Sequence, residues 1–572
     1  MAVLKAAQSP SIATLVSERV AERLHAKDAS LFDFSESAKR IAKDFMGWSD
    51  LASNPRIPVE EISAFADTLI QRGINTVVLI GQGGSTQAPM TITKYNKPDK
   101  NRVYFRTIDS MSPVRLREFM DLTNPKNTLI IVSSKRGETL EPRMVLQAVR
   151  GILSESMPQE QIPEHILAIT DPGTELEKLA IEEGWLKVFH GDPSVGGRYS
   201  ALSVFGLLPA ALVGVDLKAF MEHACQAEAA CSANLPSNPA IQLAAYLYDN
   251  YLIGRDKFSF LTPQRGRVLG LWIEQLVAES LGKDGKGILP NIELDPMILA
   301  DDRGDRCAIV YRTKTDLEDE QINFDTGVAY LGETMPRLFY EINNVEELSE
   351  HFVMWEYAIA MVGYLMKVCP FDQPDVSYTK AAVLDILENG LTDTSHLDTY
   401  TISSHVGDIE VHASKKFTVA GSLRGILRQL FKTVKPGMYF SLNAFLPFTG
   451  EGRREALESI RHNVARACGI PSCLEVGPRY LHSTGQLHKG GPNNGVFLII
   501  SANEQRDVPL EGPAKTMGEF AYAQATGDAL ILAQRGRSVV HIHLPDNSGG
   551  TLRRVAYAVE DVLAENLRAS KW

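Results

Sequence analysis

Cysteine is scarce in this sequence: the 572 residues include six, and no two of them form a Cys-x-x-Cys pair. Zinc ribbons and dithiol redox motifs both need thiols at that spacing, so neither class of site is indicated. Scattered thiols are most simply explained as reduced side chains, and we therefore expect a cytoplasmic protein.

Long apolar runs and an excess of positive charge are also missing. No stretch approaches the uninterrupted apolar length that spans a bilayer, and residues 1–20 lack the apolar core of a signal peptide. The net charge of −12 disfavours nucleic acid and membrane surfaces as partners, because both attract a basic face. A small anionic ligand is not excluded, since backbone N–H groups at a helix start bind phosphate even in acidic proteins.

The remaining composition is that of an ordinary globular protein, with 44% hydrophobic and 22% charged residues in a chain long enough for two or three domains. Short apolar runs alternate with amphipathic helical patterns, which predicts parallel sheets covered by helices. The first series of predicted strands covers residues 76–80, 102–106, 128–133, 165–170 and 186–189. The second series follows a helical stretch at 200–251 and covers 258–262, 306–312, 328–331 and 338–342.

A third series begins near residue 401 and mixes helices with predicted strands at 437–445, 495–501 and 538–544. We therefore predict an α/β protein with two parallel-sheet α/β domains and a C-terminal α/β segment. The expected segments are an N-terminal helical segment at 1–56, the two domains at 57–235 and 236–400, and the last segment at 401–572.

Two turns after predicted strands have the composition of anion sites. The first offers Gly83, Gly84 and Ser85 before a helix, and small residues there let an anion approach the backbone. The second offers Ser134, Lys135 and Thr139 (residues 133–139) at another helix start. Either could be a plain tight turn, but open α/β sheets bind ligands where the carboxyl ends of neighbouring strands meet. Together the two turns favour an anion site.

Two charged residues in later motifs could act on a bound substrate. Arg198 follows two glycines, which would bring its cation close to whatever lies beside the backbone. Glu279 lies at the edge of an apolar helical stripe and in the last turn of the helix, and both positions disfavour a charged carboxylate, as suits a general base. The simpler alternatives are a surface arginine and an i,i+4 surface pair between Glu279 and Lys283.

Two further segments are unusual. Residues 370–376 contain two prolines, which form a rigid elbow before the helix that carries Lys380; a structural turn with a solvated lysine is the alternative. The loop at 479–492 is glycine-rich and long for a connection, and such a loop is functional or disordered. Its two histidines, His482 and His488, have no nearby cysteine or carboxylate, so we predict no metal site.

Taken in order, these motifs resemble the glucose-6-phosphate isomerase family, from about residue 70 to 544. The stretch 477–492 is similar to the isomerase half of bifunctional transaldolase/glucose-6-phosphate isomerase proteins, and the N-terminal segment is too short for a transaldolase barrel. The resemblance implies two sugar-isomerase (SIS-type) domains, a small sugar phosphate as the ligand and no cofactor, and it is compatible with a homodimer. It also implies roles for the motif residues. The residues that would hold the substrate phosphate are Gly83, Gly84, Ser85, Ser134, Lys135 and Thr139, and those that would act on the sugar are Glu279 as the base, Arg198 beside the intermediate and Lys380 in ring opening.

The sequence departs from the family pattern in two places. Arg136 and Glu138 stand in the second anion turn where the family has small hydroxyl residues. The family's ring-opening histidine is missing from the stretch 330–336, and His351 is the nearest histidine that follows. An isomerase of another anionic hexose and a non-catalytic sugar-phosphate sensor therefore stay open as alternatives. A dinucleotide-dependent dehydrogenase is disfavoured, because the first turn lacks the third glycine of that fingerprint.

Overall fold

The computed structural model describes residues 9–121, 124–299, 304–313, 318–331, 335–405 and 407–569. These residues form two compact units. The first unit contains the described residues of Met1–Asp109, Leu122–Met297 and Arg306–Gln373, and the second contains those of Ser110–Asp121, Ile298–Asp305 and Pro374–Trp572. Both parallel sheets lie in the first unit, so the two units do not correspond one to one with the four segments predicted from the sequence. The division into four segments therefore stays a prediction.

The first unit contains a five-stranded parallel sheet in the order β2-β1-β3-β4-β5. Its strands are β1 (Thr76–Gly81), β2 (Tyr104–Ile108), β3 (Thr128–Ser133), β4 (Ile166–Thr170) and β5 (Lys187–His190). All five were predicted within two residues. The central strands β1 and β3 pair so that Gly81 lies opposite Ser133. The two predicted anion turns therefore leave the same edge of the sheet side by side.

A second parallel sheet in this unit has the order β7-β6-β8-β9. Its strands are β6 (Lys257–Leu261), β7 (Leu289–Glu293), β8 (Arg306–Thr313) and β9 (Arg337–Ile342). Strand β7 was not predicted because it contains Pro290, which a sheet tolerates at an edge strand. The strand predicted at 328–331 was wrong. Most of that short apolar run is the end of a helix, and a run of four residues cannot distinguish the two structures.

Helices cover both sheets, and several of them begin at a side-chain cap. Asp216 and Asn238, for example, each accept two backbone N–H groups at the first turn of the helix that follows. The α-helices of the first unit are α1 (Pro10–Ser17), α2 (Val20–His25), α3 (Glu36–Phe45), α4 (Val59–Gln71), α5 (Gly84–Tyr95), α7 (Leu140–Ser154), α8 (Glu175–Glu182), α9 (Val204–Leu212), α10 (Leu217–Ser232), α11 (Pro239–Leu252), α12 (Arg267–Leu281), α13 (Glu318–Tyr330) and α14 (Leu348–Met366). Helix α6 (Pro113–Asp121) belongs to the second unit.

The second unit contains a six-stranded mixed sheet in the order β10-β11-β15-β14-β12-β13. Its strands are β10 (Leu397–Ser404), β11 (Gly407–Ser414), β12 (Tyr439–Phe445), β13 (Ser472–Val476), β14 (Gly495–Ala502) and β15 (Ser538–Leu544). Its other helices are α15 (Val376–Asn389), α16 (Leu423–Phe431), α17 (Arg453–Cys468), α18 (Gly485–Gly490), α19 (Met517–Gln534) and α20 (Gly549–Ala569). The first two strands, an antiparallel pair, were missed because polar residues dominate them.

Each unit has its own hydrophobic core. Helix α12 lies in the first core, and all thirteen residues from Leu269 to Leu281 are buried. Among the described helices, none combines the length and apolarity needed to cross a bilayer. The structure thus confirms the predicted fold class of two parallel-sheet α/β layers followed by a C-terminal α/β segment.

Candidate functional site

The first anion turn requires glycine for two different reasons. Gly83 adopts a φ of +55°, a backbone conformation that residues with a Cβ rarely adopt. Gly84 has no such strain, but a Cβ added there would lie 2.0 Å from the carbonyl oxygen of Gly197. The turn therefore packs directly against the backbone beside Arg198. Ser85, in the first turn of α5, is buried at the same place.

The second anion turn brings two hydroxyl groups together. The Oγ atom of Ser134 lies 3.4 Å from the Oγ1 atom of Thr139, and Ser134 is 5% exposed. A cavity of about 230 Å³ adjoins this turn, between the start of α7 and α8. Its polar and charged lining residues are Ser134, Thr139, Arg143, Glu175, Lys178 and Glu182. The two cations of this lining are matched by two carboxylates, and Lys178 pairs with Glu175 at 2.7 Å, so the two hydroxyls of the turn are the groups that suit an oxyanion.

The ammonium group of Lys135 does not face this cavity. Its Nζ atom donates to both carboxylate oxygens of Asp171, at 2.6 and 2.9 Å, and to the carbonyl oxygen of Asp192 at 2.6 Å. Burial lowers the pKa of Lys135 and raises the pKa of Asp171, because desolvation penalises both charges. Lys135 therefore stabilises the turn through these bonds, and its part in phosphate binding stays a prediction.

The two departures from the family pattern lie on the outside of the same turn. Arg136 is exposed, and its guanidinium lies over the ring of Phe45 at 5.5 Å from the ring centre. Glu138 is also exposed. Water screens an exposed carboxylate, so Glu138 imposes less repulsion on a bound anion than a buried acid would.

Arg198 is the most extensively bonded side chain of the site. It lies in a short 3₁₀ turn (Gly197–Tyr199) and is 3% exposed. It donates from Nε to the Ser280 hydroxyl at 2.8 Å, from Nη1 to Gln373 Oε1 at 3.0 Å, and from Nη2 to the carbonyl oxygens of Pro370 and Asp372 at 2.6 and 2.9 Å. The alternative of a surface arginine is therefore wrong.

Glu279 lies against this guanidinium near the end of α12. Its Oε1 atom is 3.3 Å from Arg198 Nη1, and its Oε2 atom accepts a hydrogen bond of 3.0 Å from the amide of Gln275. The carboxylate is 10% exposed. The alternative surface pair with Lys283 is wrong, because Lys283 instead binds Asp372. A buried carboxylate with one cation beside it can accept and return a proton.

Two residues of this arrangement were not singled out from the sequence. Gln275 precedes Glu279 by one helical turn, and Gln373 lies within the proline elbow at 370–376. The i,i+4 spacing was the available signal for Gln275, since residues at that spacing share a helix face. Nothing local to Gln373 indicates that its amide reaches Arg198.

Lys380 lies in the second unit, in the second turn of α15, and its side chain is exposed. Before α15, Asp375 pairs with the amide of Gln486 at 2.7 Å and with Arg535 at 2.6 Å. The elbow thus leads into a helix, as predicted. The role of Lys380 stays a prediction.

His351 is the histidine nearest to the stretch where the ring-opening histidine was expected, and its part in ring opening stays a prediction. His351 accepts or donates through Nδ1 to the hydroxyl of Tyr311 at 2.9 Å, and desolvation lowers its pKa to about 4. Residues 332–334, in the stretch where the family places its histidine, lie outside the described residues. His488 is buried among aromatic rings in the second unit, and burial lowers its pKa well below the usual range.

No group of three or more His, Cys, Asp and Glu side chains is arranged to hold a metal ion in the part of the chain that the structure describes. The loop at 479–492 forms a 3₁₀ turn (Arg479–His482) and then α18. Its Tyr480 and Lys489 both bind the buried carboxylate of Asp528, each at 2.7 Å. The loop is therefore an ordered and largely buried segment of its unit.

Helix α14 carries a buried carboxyl, Glu356, that should make stability depend on pH. It is 2% exposed, its Oε1 atom has no hydrogen-bond partner, and burial raises its pKa well above 4.5. Because the pKa of Glu356 is higher in the folded protein than in the unfolded chain, the neutral carboxyl group favours the folded state. This contribution to the free energy of unfolding is complete below about pH 4.5, and it is lost as the pH rises through the folded-state pKa, since the unfolded chain ionises first.

We expect Glu356→Gln, which cannot ionise, to gain stability over the natural protein as pH rises. Burying the glutamine amide costs the same free energy at every pH. The informative measurement is therefore how the difference in Tm between the variant and the natural protein changes with pH. Thermal unfolding should show a difference in Tm that grows by at least about 2 °C between about pH 4.5 and pH 8. Glu155→Gln, at an exposed position, is the control and should show no trend. A constant difference in Tm would mean that Glu356 does not titrate in this range.

Sequence comparison finds relatives of this chain. Residues 63–291 match the phosphoglucose isomerase family. Glucose-6-phosphate isomerase of Mycoplasmopsis pulmonis is 30% identical over 391 residues, which cover 60% of this chain and 90% of that protein. The same enzyme of Staphylococcus saprophyticus is 29% identical, with 60% and 87% covered.

Solved structures show the fold. A hypothetical protein of Thermus thermophilus aligns with a TM-score of 0.55 and 24% identity over 64% of this chain and 94% of that one. A glucose-6-phosphate isomerase of Chlamydia trachomatis aligns with a TM-score of 0.52 and 17% identity over 66% and 85%. Over about two thirds of its length, this chain thus shares its fold with these two proteins.

Proposed function

The chain belongs to the glucose-6-phosphate isomerase family, and we propose that it performs the reaction of that family with Glu279 and Arg198 as its reacting centre. The protein is an aldose–ketose isomerase that interconverts glucose 6-phosphate and fructose 6-phosphate. The observation that carries the assignment of the centre is the buried carboxylate of Glu279, 3.3 Å from a fully buried guanidinium.

Glu279 moves the proton between the two carbons. Its carboxylate removes the proton from C2 of the open-chain aldose, and the electron pair left on C2 forms the double bond of a cis-enediolate. As the double bond forms, the π electrons of the C1 carbonyl move to O1. The now neutral acid then returns the proton to C1 while the hydroxyl proton on O2 moves to O1, which leaves a hydroxyl group on C1 and the ketone carbonyl at C2. No electron leaves the substrate and none is added, so the proposed step balances with protein groups alone.

Arg198 supplies the electrostatic part of this step. When Glu279 takes the proton, its negative charge is lost, and the guanidinium beside it keeps a positive charge with no carboxylate to balance it. The negative charge that develops on the enediolate oxygens then has a cation next to it in a buried site. Stabilisation of this kind contributes several kcal/mol to a transition state.

The phosphate is held apart from the reacting carbons, in the proposed arrangement, by the two anion turns. Gly83, Gly84 and Ser85 supply backbone and hydroxyl groups at the start of α5, and Ser134 and Thr139 supply hydroxyls at the start of α7. Anchoring the phosphate there fixes C1 and C2 beside Glu279, which lowers the entropic cost of reaching the transition state. Lys380 is proposed to move a proton during opening of the sugar ring.

A coupled assay with glucose 6-phosphate and fructose 6-phosphate, in both directions, tests the proposed function. Mannose 6-phosphate alongside tests the second candidate, an isomerase of another anionic hexose, which the unusual residues Arg136 and Glu138 in the second anion turn keep open. Turnover of both glucose 6-phosphate and fructose 6-phosphate is the expected result. Turnover of mannose 6-phosphate alone would replace the proposal with the second candidate, and no turnover of any of them would leave a sugar-phosphate sensor.

We expect Glu138→Thr to leave KM for glucose 6-phosphate unchanged or lower. The carboxylate is exposed, so removing its charge removes only a screened repulsion from the phosphate. Steady-state kinetics of both forms measure the change, and Arg136→Gln on the same turn is the companion variant. A rise in KM of about 10-fold or more, the size expected for a lost charged hydrogen bond, would mean that Glu138 binds the substrate.

Three finer assignments are part of the same proposal. The stretch 477–492 supports placing the chain with the isomerase halves of bifunctional transaldolase/glucose-6-phosphate isomerase proteins. The six dispersed cysteines support a reducing cytoplasm, since none of them forms a disulfide bond. A homodimer is proposed from the family resemblance alone, and sedimentation of the purified protein would test it.

A further inference from the structure

A buried lysine near the end of α12 has no part in the proton transfer described above. Lys283 follows Glu279 by one helical turn, and its side chain is 5% exposed. Its Nζ atom donates to the carbonyl oxygen of Asp372 at 2.7 Å and to the carboxylate oxygen Oδ1 of the same residue at 2.8 Å. One ammonium group therefore fixes both the backbone and the side chain of Asp372.

The segment that Lys283 holds is the segment that holds Arg198. Three of the hydrogen bonds of the guanidinium go to Pro370, Asp372 and Gln373, at 2.6, 2.9 and 3.0 Å. The carbonyl oxygen of Asp372 accepts from both cations. The turn at 370–373 thus has one set of bonds to Arg198 and another set to Lys283.

The end of helix α12 also contacts the guanidinium of Arg198. Ser280 accepts the remaining hydrogen bond of Arg198, from Nε, at 2.8 Å, and Glu279 makes the ion pair. One helix end therefore presents the carboxylate, a hydroxyl and an ammonium to the guanidinium and its turn. The orientation of Arg198 depends on the distance between that helix end and the turn, which Lys283 bridges.

The four charges of this cluster balance. Arg198 and Lys283 are cations, and Glu279 and Asp372 are carboxylates. Burial lowers the pKa of Lys283, while the adjacent carboxylate of Asp372 opposes that shift and Arg198 adds to it. The ion pair is buried on the lysine side, at 5% exposed, and only partly buried on the carboxylate side, at 30% exposed, so removing Lys283 loses the bonds to the turn without leaving a fully buried charge.

We propose that Lys283 is a positioning residue for the isomerisation: by binding Asp372 it fixes the turn at 370–373 and so sets the plane of the Arg198 guanidinium against Glu279. This inference rests on the proposed function. Small misplacements of a charged group can cost a large factor in rate, since the transition state demands tighter alignment than the bound substrate. The substrate itself is anchored through its phosphate at the anion turns, so its affinity should depend little on Lys283.

The first experiment compares variants of the full chain in the coupled assay. We expect Lys283→Met to lower kcat by about 30-fold or more while KM stays within about threefold, because the interaction lost matters in the transition state. Lys283→Arg keeps a cation with several donors and should recover a large part of the loss. The matched control is Lys286→Met, since Lys286 binds the carbonyl oxygen of Met366 and not the turn. A kcat within about threefold of the natural protein in Lys283→Met would overturn the proposal.

The second experiment is a double-mutant cycle with Arg198→Lys. If Lys283 acts through Arg198, the Lys283→Met change should cost less than about threefold once the guanidinium is gone, and the two effects should not multiply. A loss in the double variant equal to the product of the single losses would show a separate structural role. If Lys283→Met does not fold, as judged by thermal unfolding, Asp372→Asn takes its place under the same criteria. Loss of the proposed function itself would be seen differently, as an inactive natural protein.

Discussion

Glu279→Gln is expected to lower kcat by at least about a thousandfold and to leave KM nearly unchanged, because the carboxylate acts on the proton in the transition state and not in binding. The amide has the shape of the carboxylate but cannot accept the proton from C2. Its oxygen can still face Arg198, and its NH₂ group can face the side-chain amide oxygen of Gln275, which is buried without a hydrogen-bond partner. The variant should therefore fold.

Isotope exchange gives the decisive measurement for this prediction. In deuterated water the natural protein should exchange deuterium into C2 of the substrate, and Glu279→Gln should not. Glu274→Gln is the matched control, because Glu274 is a second buried carboxylate on the same helix and has no place in the mechanism. Exchange that persists in Glu279→Gln would assign the base to another residue.

Arg198→Ala is expected to reduce turnover by about a hundredfold to a thousandfold, with a smaller effect on substrate binding. The guanidinium meets charge that develops only in the enediolate, so an inhibitor that mimics the enediolate should lose more affinity than the substrate does. Isothermal titration with both ligands measures the difference. Equal losses would make Arg198 a simple binding residue.

The structure adds a complication that the variant series must address. Arg198 is buried with four hydrogen bonds and an ion pair, so its removal leaves the carbonyl oxygens of Pro370 and Asp372 with fewer donors. Arg198→Lys keeps the charge and loses the planar arrangement of donors. Its kcat should lie between those of the natural protein and Arg198→Ala. An Arg198→Lys enzyme as slow as Arg198→Ala would show that donor geometry, more than charge, carries the effect.

Local signals in the sequence predicted most of the scaffold of this site. The strands that end at Gly81 and Ser133 were found from runs of β-branched residues, and the helix that carries Glu279 from its apolar stripe. These patterns depend on residues a few positions apart, so they can be recognised without knowing the fold. The signal failed where it was short or polar, as at 328–331 and in strands β10 and β11.

The sequence by itself determined the α/β class, the order of the motifs and the residue types that could bind an anion or move a proton. Only the tertiary structure decided their partners. Glu279 pairs with Arg198 and not with Lys283, and Gln373 accepts a hydrogen bond from the same guanidinium. Lys135 binds Asp171 and does not line the cavity beside the second turn. The physical reason is that secondary structure follows local periodicity. The partner of a buried charge depends on which distant segments the folded chain brings within hydrogen-bond distance.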